Sequence, residues 1–170
     1  MRHALFGAVL VIGAGSSYGA LAAPPAQPHS YWHVWADKAG QTHQSKCTFH
    51  DFAPYSLGSG VEPIYVDKLH EEVGAVWIAQ FPKGWVGAWH ENPKAQWVVP
   101  LKGRWFVETT DGHRVEMGPG EASLGEDQAA KPDQAGHTGH LSGTLGDEPI
   151  TLMFVQLKQP PAQDDACRAK

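Results

Sequence analysis

The stretch WHENPKAQWVVPLKGRWFVETTDGHRVEMGPG, residues 89–120, decides how this chain folds. Aromatic and β-branched residues alternate in it with polar ones, the period of two expected of strands with one buried face. Asp111-Gly112 interrupts the run where a two-residue type I′ turn is favoured, because both turn positions must tolerate positive φ. On either side, the same pattern predicts strands near residues 64–68, 75–81, 86–91, 96–101, 105–109, 114–117, 121–124, 141–144 and 150–157. No segment sustains a 3.6-residue apolar period, so the expected class is all-β. Residues 52–62 read as a loop, and residues 126–139 as a polar loop long enough to form a rim over a cavity.

The start of the chain has a different character. Arg2 and His3 precede an apolar run over residues 4–15, followed by Ala20-Leu21-Ala22 and then Ala23-Pro24-Pro25. That order of charge, apolar core and small residues is that of a secretory signal peptide over residues 1–22, cleaved after Ala22, with export to the periplasm or beyond. A glycine-rich nucleotide loop over residues 9–19 is the rival reading, but it needs a helix next, and Pro24, Pro25 and Pro28 forbid one. No other apolar run approaches the roughly 20 residues of a membrane-spanning helix, so no membrane partner is expected after cleavage. The expected organisation is an arm over residues 23–62, one domain over residues 63–158 and a tail over residues 159–170.

Charge and cysteine count narrow the classes further. The net charge is −5, and removal of residues 1–22 takes away one Arg and no acid, giving −6. Without a Lys/Arg cluster the chain lacks the electrostatic footprint of a nucleic-acid binder. Cys47 and Cys167 are the two cysteines, and in an exported chain they predict one disulfide between the arm and the tail. The competing use of Cys47, a metal site with His43 and His50, offers three ligands and lacks the paired spacing of structural zinc sites. Neither a Gly-x-Ser-x-Gly elbow nor a phosphate-binding Gly-x4-Gly-Lys-Ser/Thr loop occurs, and His90-Glu91 has no second His four residues on.

Gly84, His90, Asn92, Gln96 and Gly103, followed by Gly118-Pro119-Gly120 and by His137 and His140, form an ordered set. It resembles the two motifs of the cupin superfamily, over roughly residues 73–157, and is most similar to small single-domain bacterial cupins with one His in the first motif. In that comparison Asn92 stands at the position of a second His and Gln96 at that of a Glu, while His140 is the better match for the second-motif His and His137 the competitor. The resemblance implies a double-stranded β-helix, a jelly-roll-type antiparallel barrel, in a single domain. It also implies a homodimer through outer strands, and a divalent transition metal held by His90, Gln96 and His140, with His140 reaching His90 from the opposing sheet and His137 as a further candidate. Gln96 and Asn92 bring no charge, which disfavours a hard ion and points to Zn²⁺, Fe²⁺, Ni²⁺ or Cu²⁺, with an anionic substrate favoured.

Glu126 and Asp127, just past a predicted strand, are the candidate catalytic carboxylates, able to orient a histidine or act as a general base. Seven tryptophans are expected mainly as packing anchors, one or two lining a pocket. Two functions remain open from the sequence. One is a metal-dependent enzyme on a small organic molecule, of oxygenase, isomerase or lyase type; the other is a cupin that binds a small ligand without metal or catalysis.

Overall fold

A computed structural model describes residues 28–67, 69, 72–158 and 166–167. The expected signal peptide and most of the tail lie outside the described residues. Eleven strands are seen among those residues and no helix: β1 (His29–Ala36), β2 (Thr42–Phe49), β3 (Ala53–Tyr55), β4 (Ile64–Val66), β5 (Val73–Phe81), β6 (Gln96–Lys102), β7 (Arg104–Thr109), β8 (Arg114–Met117), β9 (Ser123–Glu126), β10 (His140–Leu145) and β11 (Ile150–Leu157). No described helix is long and apolar enough to cross a membrane.

The strands form a six-stranded sheet in the order β2-β1-β9-β6-β11-β5, a three-stranded sheet β10-β7-β8, and a separate ribbon β3-β4. All neighbours are antiparallel except β1 and β9, which run parallel. The two larger sheets stack in sandwich fashion. Their shared core takes Val34, Ile150 and Leu152 from the large sheet and Trp105, Val107, Val115 and Met117 from the small one. In β8 the alternation is complete, with Val115 and Met117 buried and Arg114 and Glu116 exposed. On its other face the large sheet carries a second core of Tyr31, Cys47, Trp97, Leu124 and Leu157, joined by Ala95.

That second core lies under the Cys47–Cys167 disulfide, whose Cα atoms are 5.5 Å apart and 120 residues apart in sequence. The pairing expected from two cysteines is therefore present, and Cys47 takes no part in a site with His43 and His50. A disulfide suits an oxidising, extracytoplasmic setting. The arm expected over residues 23–62 supplies β1 and β2 to the large sheet, and β3 falls within the expected loop.

Two local expectations are corrected. Residues 86–91 form no strand: they touch β10 only through bridges at Val86–Gly143 and His90–His140. Pro82, Gly84, Gly87 and Pro93 explain this, since proline lacks a ladder donor and glycine disfavours extended order. This irregular edge leaves the sheets stacked, and no closed barrel is found among the described residues. The hairpin from β7 to β8 also differs. Thr109 N–H donates to His113 O at 3.0 Å and Gly112 N–H to Thr109 O at 2.9 Å, which closes a three-residue loop with Gly112 at φ 80°. Asp111 favours the longer loop because its Oδ1 accepts from both the Thr109 hydroxyl and the His113 N–H.

Candidate functional site

A cavity of about 170 Å³ lies between the two stacked sheets. Strand parity decides what reaches it. Gln96, Val98, Ser123 and Gly125 line it, whereas Trp97 and Leu124 between them point into the second core. Phe81, Trp85, Trp105 and Phe154 make an aromatic wall. Within that wall Phe81 packs on Trp85 and on Trp105 at ring distances of 4.7 and 5.2 Å.

The opposite end is polar and is built on the bridge between His90 and His140. Their backbones exchange two hydrogen bonds, of 3.0 and 2.8 Å, which puts both side chains on one side with ring centroids 4.5 Å apart. Gly139, at φ 77°, makes this approach possible, because a Cβ there would collide with the His90 carbonyl. The expected approach of His140 to His90 from an opposing sheet is not what is found. The two are instead cross-strand neighbours, and it is Gln96 that arrives from the other sheet.

Each imidazole is anchored through Nδ1. That of His90 lies 2.8 Å from the Ala88 carbonyl oxygen, and that of His140 lies 2.7 Å from Asp127 Oδ2. Since a carbonyl and an ionised carboxylate only accept, Nδ1 carries the proton in both rings, and each Nε2 of the neutral imidazole presents a lone pair. Burial pushes the Asp127 carboxyl up, but the adjacent His140 and hydrogen bonds from His140 and Asn92 outweigh it and hold the group below the ordinary carboxylate range. His90 stands at the exposed rim, yet the protein crowding its ring, followed by repulsion from His140, lowers its pKa from the usual value. Glu91 is displaced upward by burial and then by Asp127.

Asn92 and Gln96 are committed to supporting that carboxylate. Asp127 Oδ1 accepts from the Asn92 backbone N–H at 2.9 Å and from its Nδ2 at 2.7 Å. Asn92 must then turn Oδ1 outward, where it accepts from Gln96 Nε2 at 2.7 Å, and Gln96 Oε1 faces Gln156 Nε2 at 3.4 Å. The carboxylate thus fixes every amide orientation in the chain. Gly125 leaves room for Asn92, since a Cβ there would overlap its amide.

The adjacent acids part company. Glu126 points to the other face of the large sheet, fully buried with Oε2 3.1 Å from His33 Nε2, while His33 Nδ1 lies 3.2 Å from the Ala166 carbonyl beside the disulfide. Of the two candidate carboxylates, Asp127 alone is brought to the histidine pair. His137 also stands apart: it stacks on Trp89 at 4.5 Å and pairs with Asp133 at 3.4 Å, outside the set that lines the cavity.

The residues present supply a metal with two free imidazole nitrogens. Asn92 Oδ1 and Gln96 Oε1 already accept hydrogen bonds, and no three His, Cys, Asp or Glu side chains converge as a metal site among the described residues. Catalytic zinc sites use three protein ligands. The described His, Cys, Asp and Glu side chains offer two here. The wall residues Phe81 and Phe154, and Ser123 and Ser142, are lining positions that the sequence did not single out; the parity of β6, β9 and β11 is the signal that would have found Ser123 and Phe154.

No family model matches the chain, and no curated protein matches it. Among solved structures it is similar to the protein YhaK from Escherichia coli, at 21% identity and a TM-score of 0.41, over 67% of this chain and 47% of that one. The chain thus spans about half the length of YhaK.

Proposed function

We propose that this chain is an exported protein of cupin type, its sheets arranged as a double-stranded β-helix, that binds a small organic molecule in the cavity between them. The observation that carries the reading is the pair of imidazoles 4.5 Å apart, both anchored through Nδ1 so that two Nε2 acceptors are left on residues that line an aromatic-walled space. A few fixed polar groups at one end of an apolar pocket are the usual make-up of a small-ligand site. Export rests on the order of residues 1–22, with the disulfide in its support. Binding requires no metal in this reading, and His90 and His140 orient the ligand by accepting its hydrogen bonds.

A metal-dependent enzyme is the second reading, and one observation favours it. Imidazoles tethered through Nδ1, one of them by a carboxylate, are in the tautomer that ligates metals through Nε2. Chelator-treated protein, screened by NMR against small neutral molecules both aliphatic and aromatic, separates the two. The first reading expects shifts at the His90 and His140 rings and at the Trp85 and Trp105 indoles. An inert cavity, together with stoichiometric uptake of zinc or nickel lost in His90→Ala, would replace it with the second.

A further inference from the structure

We propose that the ligand is an uncharged molecule built on one aromatic ring and bearing a hydroxyl, the ring lying toward Trp85, Trp105 and Phe154 and the hydroxyl toward His90 and His140. This names the ligand class for the site described above and rests on that reading.

Size comes first. An apolar cavity of about 150 Å³ accommodates benzene, so about 170 Å³ has room for one ring and a substituent. The wall is aromatic on several sides, and rings packed edge-to-face or offset gain energy beyond the area they bury. Trp85 and Trp105 already stack on one another, at 5.7 Å and 13°, giving a rigid surface.

Charge narrows the class. No Lys or Arg lines the cavity. A carboxylate ligand would bring a second negative charge toward Asp127 with no counter-ion to meet it. A cationic ligand finds no free acidic partner there either, since both Asp127 oxygens are engaged, by His140 and by Asn92. Burying an unpaired charge is costly, so a neutral ligand is selected. The remaining requirement is a donor. Neither Nε2 has a hydrogen-bond partner among the described residues, and in the tautomer fixed by Nδ1 both accept. A phenolic O–H is a strong donor carried on the ring that the wall prefers.

Calorimetric titration of the full-length chelator-treated protein with phenol, benzene, cyclohexanol, benzoate and benzylamine tests this. Phenol should bind at least tenfold more tightly than benzene or cyclohexanol, and benzoate and benzylamine should be undetectable over the same range. His90→Ala, at the exposed rim, should erase the advantage over benzene, with an unchanged melting temperature showing that the fold survives. Trp85→Leu should weaken phenol and leave cyclohexanol unaffected. Equal affinity for benzene and phenol, or for cyclohexanol and phenol, overturns the class while leaving the small-ligand reading in place. Tightest binding of benzoate or benzylamine overturns its neutrality. Failure of all five while aliphatic molecules still shift the His90 and His140 signals overturns this inference alone, and failure of both sets overturns the pocket reading with it.

Discussion

Asp127 is the residue on which the site turns. It is fully buried, accepts two hydrogen bonds from Asn92 and sets the tautomer of His140. Removing this buried carboxylate leaves the donors of Asn92 and His140 unsatisfied, at a cost of roughly 1–3 kcal/mol. Asp127→Ala should lower stability in urea by that amount and abolish ligand binding. Gln96→Glu probes the same network from its far end. A carboxylate cannot donate to Asn92 Oδ1 and repels Asp127, so the variant should lose about 1–3 kcal/mol, and equilibrium unfolding checks it. Sequence alone could not separate Asp127 from Glu126, because adjacent acids differ only by strand parity and the end of β9 decides which faces inward. Nor does composition show that Asn92 and Gln96, at positions where metal ligands are expected, are spent on holding a carboxylate.

Between elements, the β1–β2 and β7–β8 hairpins are joined by His43, which lies 2.8 Å from Asp111 and 3.4 Å from Asp37. Both carboxyls sit below their ordinary range: burial raises each, and hydrogen bonds from the turn and from His43 outweigh it. A carboxyl with a lowered folded-state pKa binds its proton more readily when unfolded. Its contribution is therefore complete above the unfolded value near pH 4 and is lost as pH falls below it. Denaturation midpoints measured from pH 6 to pH 3 should drop over the acid end of that range, and Asp111→Asn should flatten the fall. Elements with strong alternation were legible: β8 and β11 occupy the expected residues 114–117 and 150–157. The segment at 86–91 was not, because its Val-Gly-Ala-Trp-His alternation resembles a strand while the flanking Pro and Gly deny it a ladder.

For the molecule in full, an all-β class and a single disulfide were readable from periodicity and from the cysteine count, whereas the stacking of a six-stranded on a three-stranded sheet required the long-range pairings of β1, β9 and β11. The disulfide ties the far tail to β2 and brings the Ala166 carbonyl to His33. Opening so long a loop should cost roughly 2–5 kcal/mol, so Cys167→Ser should melt well below the wild type and match the reduced wild-type protein. Ligand binding by two bare imidazole nitrogens is tested at its root by the protonation pattern of the central histidines, read from long-range ¹H–¹⁵N couplings in ¹⁵N-histidine-labelled, chelator-treated protein near pH 8. Both His90 and His140 should carry a proton on Nδ1 and none on Nε2, with both Nε2 signals shifting when phenol is added. A proton on Nε2 of either ring in the free protein, or Nε2 signals indifferent to every small molecule tested, would contradict it.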